Sequence, residues 1–410
     1  MESKSNVSEY FIHIKMNVFK HSIWIFIVLF SIGCSNTTNK EKSDPLNGDK
    51  KYRVVGYVAG YRDFDFAKIQ AQKLTHINYA FANVIDGKVM FDTTNIDNTS
   101  LKTNDLNALH KLKEVNPDLK ILVSVGGWVW SGNFSDVALT MESRLKFANS
   151  AADFVKQYQL DGIDIDWEYP NQVGAGNTHR EEDVHNFTLL MKSTREALNR
   201  LEQQEQQGHY LLTIATGADS TYVTNTELGE VSKHLDFLNI MTYDFYNGLH
   251  NVTGHHANLY PSSLNKSRVS DVLNSVKWHE DAGVPLQKIT LGIPFYGRKW
   301  EGVQQLENNG LYQNAQSVGQ IIYYRIIAKD CLNSTAYSRY WDESAKAPYL
   351  WNGDSSIFIS YEDAESIKFK IDYLKKKGLS GIMFWEYSDD YEGQLLDAIH
   401  GNLNEQNGIQ

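Results

Sequence analysis

From residue 52 to about residue 400 the chain repeats one figure: a short apolar run of strand length, a polar turn, then a longer segment whose apolar residues return every three or four positions. The strand-like runs fall at 53–61, 74–84, 120–127, 160–168, 210–217, 236–244, 289–297 and 381–388. The helical faces between them read directly. Phe147, Ala151, Phe154 and Tyr158 share one side before the fourth run, and Val184, Phe187, Met191, Leu198 and Leu201 share one after it. Nearly continuous apolar strands alternating with amphipathic helices predict a parallel sheet covered by helices. Eight such units predict an α/β fold of the (β/α)8 TIM-barrel type over residues 51–298 and 361–402, with 403–410 as a tail.

The rhythm breaks once. More than eighty residues separate the seventh and eighth runs, too many for an ordinary barrel connection. A small α+β insertion is therefore expected over 299–360, with β-like pieces at 321–327 and 357–360. Its aromatics include Tyr312, Tyr323, Tyr324, Tyr340, Trp341, Tyr349 and Trp351, and for any single one of them a place in a small core of the insertion's own is as good a reading as a functional one.

The fourth run departs from the apolar pattern in one respect. Two-residue alternation sends Asp164, Asp166 and Glu168 to one face and Ile163, Ile165 and Trp167 to the other, so carboxyls share one side of a strand whose other side is apolar. Aspartate is depleted in strands and a buried carboxylate is costly. Like charges this close cannot all ionise, so at least one carboxyl must keep its proton near neutrality, which is what a general acid needs. The plain alternative, the wet face of an exposed strand, is opposed by the apolar face and by Gly162 and Pro170 bracketing the run. Asp161 is off the parity of the ladder and reads as structural. In a barrel the reactive residues gather at the C-terminal ends of the strands. There the chain carries Tyr57, Phe81, Gly126-Gly127-Trp128, Glu168-Tyr169, Met241 through Asp244, Arg298 and Trp385.

Composition changes the picture only a little. Net charge is −11, which argues against nucleic acid or an anionic membrane surface as partner. The 23 Tyr, 18 Phe and 9 Trp suit a ligand with flat apolar faces and polar edges, such as a sugar, though any single ring is more simply core. His255 and His256 sit in a polar, glycine-containing loop without a third residue at metal-ligand spacing, and a solvated loop is expected there. No metal and no cofactor are expected.

The N-terminus reads as targeting sequence. Lys20 and His21 precede an apolar run over 23–30, and Ser31-Ile32-Gly33-Cys34 follows. The run is shorter than the roughly 20 residues of a bilayer-spanning helix. Residues 1–33 are therefore expected to be a removed signal, with Met16 as a possible start because Glu2 and Glu9 lie upstream of the basic residues. Residues 34–50 are polar and read as a tether. The segment resembles a bacterial lipoprotein signal with Cys34 as the lipidated residue, departing from it at Ser31, where leucine is usual. The expected location is exported, lipid-anchored in the periplasm or at the cell surface, or secreted, and the expected state is a monomer.

Asp161-x-x-Asp164-x-Asp166-x-Glu168, with Tyr169-Pro170 after it, resembles the DxxDxDxE signature of family 18 glycoside hydrolases, the chitinases and their relatives. Ser124-Val125-Gly126-Gly127 resembles that family's SxGG motif, Met241-x-Tyr243-Asp244 its strand-six motif and Phe384-Trp385-Glu386 its strand-eight segment, and the likeness runs from about Val54 to His400. The resemblance implies hydrolysis of β-1,4 links between N-acetylglucosamine units in chitin or its oligosaccharides. Catalysis would be substrate-assisted, with Glu168 as acid, Asp166 turning to the acetamido N–H, Asp164 sharing a proton with Asp166, and Tyr243 aligning the acetamido oxygen. Trp385 would carry the sugar ring and Tyr169 would join it in substrate binding; Asp244 and Arg298 would bind sugar hydroxyls or form a structural pair, and Met241, Tyr57, Phe81 and Trp128 would line the pocket or belong to the core. It also implies that the 299–360 insertion deepens the groove. The alternatives are an endo-β-N-acetylglucosaminidase acting on N-glycan cores, a sugar-binding lectin on a dead barrel, and a surface protein that presents the barrel as an interaction face.

Overall fold

A computed structural model of the protein describes residues 52–92, 96–206, 208–265 and 270–405. The expected signal, the possible start at Met16, the tether and Cys34 lie outside the described residues, as does the end of the expected tail.

Eight strands form a closed parallel barrel: β1 (Arg53–Ala59), β2 (His76–Ile85), β3 (Lys120–Gly126), β4 (Gly162–Asp166), β5 (Leu211–Thr216), β6 (Phe237–Ile240), β7 (Ile289–Pro294) and β8 (Gly381–Trp385). Each pairs in parallel with the next, and β1 closes the ring by pairing with both β2 and β8. Every one of the apolar runs read from the sequence overlaps one of these strands, and only His76–Ile85 extends past its run, by one residue.

The outward side chains meet the helices. The helix Met141–Gln157 starts at Thr140 with a reciprocal cap to Ser143 and buries Phe147, Ala151 and Phe154, the face expected from the pattern. The helix Asp183–Glu205 buries Phe187, Met191, Leu198 and Leu201. Inside the barrel a second apolar cluster, Val55, Tyr57, Ala80, Phe237 and Met383, packs under Phe81, Met241, Tyr243 and Trp385. That layer forms an apolar floor beneath the mouth.

Between β7 and β8 the chain builds a five-stranded antiparallel sheet in the order Gln320–Tyr323, Tyr296–Glu301, Ile357–Ser360, Ala347–Asn352, Ser338–Asp342. The sheet begins at Tyr296, directly after β7. The piece expected as β over 321–327 is strand only to Tyr323, then turns helical through Tyr324–Ile326. Its aromatics divide between two roles. Tyr349 and Trp351 fill a small core with Trp300 and Phe358, and Tyr312 and Tyr340 pack against it. Tyr323 instead reaches the barrel, where its hydroxyl accepts from Arg62 Nη1 at 2.7 Å.

Candidate active site

The acid strand is held by its neighbours at short range. Gly126, at the end of β3, has φ +106°, and a Cβ there would lie 2.3 Å from the Asp166 carbonyl oxygen. This close approach lets the Gly127 N–H donate to that carbonyl at 2.8 Å. Beyond Asp166 the ladder ends, and Ser131 takes over. Its hydroxyl accepts from the Glu168 N–H at 2.8 Å and lies 3.1 Å from the Asp166 carbonyl. Trp167 points outward and stacks on Phe134, with ring centroids 5.5 Å apart. The alternation therefore continues past the last ladder bond and turns Glu168 inward.

Asp164 is fully buried and its carboxylate is filled by hydroxyls. Tyr57 donates at 2.8 Å and Ser124 at 2.8 Å to one oxygen, and Thr213 donates at 2.6 Å to the other. The strand register explains this, since Asp164 lies opposite Ser124 on one side and Thr213 on the other. Burial raises its pKa while the hydroxyls draw it back. Tyr57 in turn accepts from Asn239 at 3.3 Å, and Thr290 donates to the Asn239 amide oxygen.

Asp166 is 4% exposed and its Oδ1 has no hydrogen-bond partner in the protein. Burial, then the charges of Glu168 and Asp164, pushes its carboxyl well above the usual range. Glu168, 8% exposed, is pushed up to about 7, chiefly by burial, with the Asp244 charge adding to it and the Tyr169 hydroxyl opposing it. The carboxyls at 164, 166 and 168 are thus all raised.

Across from them, Asp244 has φ +63° and is gripped by Arg298 through two bonds, Nε to Oδ1 at 2.8 Å and Nη2 to Oδ2 at 2.6 Å. Burial alone would raise this carboxyl, but His256 and the Arg298 guanidinium hold it down at about 2. It stays an anion while Glu168 keeps its proton. Burial and the surrounding acids keep the Tyr243 hydroxyl protonated, so it remains a donor. Trp385 stacks on Phe81 at 5.5 Å and leans on Tyr57 at 5.8 Å. Trp128 is half exposed, with its ring 6.4 Å from Tyr169. Met241 packs with Phe81, Tyr243 and Trp385 on the barrel's inner cluster. Cis peptide bonds join Ala80 to Phe81, Glu168 to Tyr169 and Trp385 to Glu386.

Asp161, off the ladder, accepts from the Ile121 N–H at 2.7 Å and pairs with Lys113 at 2.6 Å. His255 and His256 correct an expectation: both are buried, at 1% and 0% exposure, rather than solvated. The loop folds back under the antiparallel sheet, where His255 meets Asp342 at 3.2 Å. The sequence reading passed over Ser131, Thr213 and Asn239. Each acts through strand pairing or a returning loop, and a small hydroxyl or amide in an apolar run carries no local sign of that. A further acid group stands beside Trp385: Glu386 and Asp389 are buried, with Arg62 3.6 Å from Glu386 and Arg325 3.4 Å from Asp389.

The chain matches Glycosyl hydrolases family 18 over residues 53–390. Chitinase A1 of Niallia circulans is 39% identical over 86% of this chain, which spans 58% of that protein's length. A solved structure described as a family 18 N-acetylglucosaminidase from Paenibacillus barengoltzii is 42% identical, covers 86% of this chain and 99% of its own, and superposes with a TM-score of 0.78. Chitinase ChiW from Paenibacillus sp., described as a cell-surface-expressed multi-modular enzyme, is 40% identical over 86% of this chain and 33% of its own, with a TM-score of 0.79.

Proposed function

Because the chain belongs to family 18 of the glycosyl hydrolases, we propose that it is a chitinase, hydrolysing β-1,4 links between N-acetylglucosamine units by substrate-assisted catalysis with retention. The single observation that carries the reading is the pairing of a buried Glu168, its carboxyl pushed up to about 7, with a neighbouring Asp166 whose Oδ1 lacks any protein partner. A proton is available at one carboxyl. A free acceptor stands at the other.

In this reading Glu168 gives its proton to the leaving glycosidic oxygen as the C1–O bond breaks. The substrate's own acetamido oxygen closes on C1, forming the oxazolinium ion. Asp166 accepts from the acetamido N–H and stabilises that cation, and Tyr243 donates to the acetamido oxygen and holds it in line. Water then attacks C1, its proton passes to Glu168, and the β-anomer is released. Asp164 tunes the pair by proton sharing with Asp166. In the present geometry it accepts from three hydroxyls, which keep it ionisable beside Asp166. Trp385 on its Phe81 stack carries the sugar face, with Tyr57, Trp128, Tyr169, Met241, Asp244 and Arg298 completing the cleft and the 299–360 insertion forming one wall.

A second reading rests on the Paenibacillus barengoltzii relative: release of single N-acetylglucosamine residues from chain ends. Export, and attachment through lipid at Cys34, are supported by the sequence pattern of the N-terminus. Among the described residues no helix is long and apolar enough to cross a membrane.

The test is product analysis after incubating the protein with chitin oligosaccharides and, in parallel, a high-mannose glycopeptide, with Glu168→Gln as control. Wild-type-only cleavage with early β-anomer is expected for the oligosaccharides. Dimers or longer products support the chitinase reading, and exclusive release of monomer supports the second. Cleavage of the glycopeptide alone, or binding without cleavage, would overturn both.

A further inference from the structure

His256 was expected in a wet loop and is instead fully buried, with neither ring nitrogen hydrogen-bonded within the protein. A buried polar ring without partners is costly, so its position calls for a cause. Its backbone is fixed on both sides: the His256 N–H donates to Ser360 Oγ at 2.9 Å and its carbonyl accepts from the Phe245 N–H at 3.0 Å. The ring stands 5.4 Å from that of Tyr296, and Nδ1 lies 3.9 Å from Asp244 Oδ1. Asp244 is thus set between Arg298, which holds both its oxygens, and an imidazole just beyond hydrogen-bond reach, while a third of the Asp244 side chain faces the cleft.

We propose that His256 is a positioning residue for the reaction: from behind the cleft wall its Nδ1, 3.9 Å from Asp244 Oδ1, closes on the Asp244 carboxylate as the sugar binds, so that Asp244 meets the sugar as a fixed acceptor. The inference rests on the chitinase reading given above. The chemistry follows from the surroundings. His256 is faced by Asp244 from the segment after β6, by Tyr296 and Arg298 from the strand Tyr296–Glu301, and by Lys370 from the helix Ala364–Lys377. Burial holds the imidazole down at about 4, Asp244 opposes this, and the two cations add to it. The ring is therefore neutral and carries one N–H to give. When a sugar hydroxyl draws one Asp244 oxygen away from the guanidinium, the imidazole is the group placed to take up the remaining acceptor site. The effect reaches the acid as well, because the Asp244 charge is one of the influences that keep Glu168 protonated.

The test compares His256→Leu, which fills the space without a donor, with His256→Asn, whose amide nitrogen stands near the Nδ1 position. In the full-length protein kcat/KM on a chitin oligosaccharide is measured against pH, and the Asp244 carboxyl is titrated directly by carbon-13 NMR down to pH 3. For His256→Leu the expected result is a loss of about tenfold in kcat/KM, the size of one hydrogen bond to a charged group. The acidic limb should move to higher pH, and the Asp244 titration should move up into the observable range. His256→Asn should recover most of each. Equal losses in both variants with unmoved pH limbs, or an Asp244 titration unchanged in His256→Leu, would overturn the assignment and leave His256 a packing residue. A wild type inactive on the oligosaccharide would sink the chitinase reading, while the Asp244 titration would still decide whether His256 holds that carboxylate.

Discussion

At the scale of the residue, Glu168 carries two linked expectations. Its carboxyl is raised from 4.5 to about 7 because burial disfavours the charged form. As the proposed acid it must be protonated, so turnover should fall as pH rises through about 7. Glu168→Gln should lower kcat by about a thousandfold or more while leaving oligosaccharide binding within a fewfold. Near-full turnover in that variant would remove Glu168 from the acid role. The stability sign runs the same way. A carboxyl bound more tightly to its proton in the folded state contributes stability that is complete below pH 4.5 and lost as pH rises through about 7. Glutamine never ionises. Chemical denaturation should therefore find the variant equal to wild type near pH 4 and more stable above pH 8, by up to about 3 kcal/mol.

The element that matters most is β4, whose strand ends at Asp166 while its function extends to Glu168. The alternation of acids and apolar residues was legible in the chain, because a period of two is a local property. What the chain did not reveal was the support. Gly126 admits the Asp166 carbonyl at a distance no side chain allows, and Ser131 holds the Glu168 N–H across 37 positions. Gly126→Ala should force β3 from β4 at a positive φ where a side chain is already strained. A stability loss of about 2–4 kcal/mol is expected by urea unfolding, with a larger proportional loss of kcat. Wild-type stability and turnover in that variant would mean that the close approach is not needed. Asp161 illustrates the converse. Its parity placed it off the ladder, and it serves the neighbouring strand and Lys113.

At the scale of the molecule, Tyr323 is one of the places where the barrel and the antiparallel sheet meet. Its ring lies between Arg62, 4.5 Å from the centroid, and Arg325, 4.6 Å from it, and Arg62 also gives its hydroxyl a hydrogen bond. A double-mutant cycle of Arg62→Ala and Tyr323→Leu should show a coupling of about 1 kcal/mol in unfolding free energy, and simple additivity would mean that this contact adds nothing to the joints made by Arg298 and Ser360. The sequence by itself determined the number of barrel strands, though not that the first is followed only by two short 3-10 turns at Phe66–Lys68 and Ala71–Lys73; it also determined the break after the seventh run, the acid ladder and the aromatic strand ends, because hydrophobic period and local parity need only neighbours along the chain. Tertiary structure alone decided that Ser124 and Thr213 both reach Asp164, that Arg298 grips Asp244, that Tyr349 and Trp351 are core while Tyr323 meets the barrel, and that His256 is buried. Each of these depends on which strand lies beside which, and on where a long loop returns. Contacts between residues 40 to more than 100 positions apart are fixed by strand pairing in the barrel and by the loop that returns to the antiparallel sheet, and leave no periodic trace in the chain.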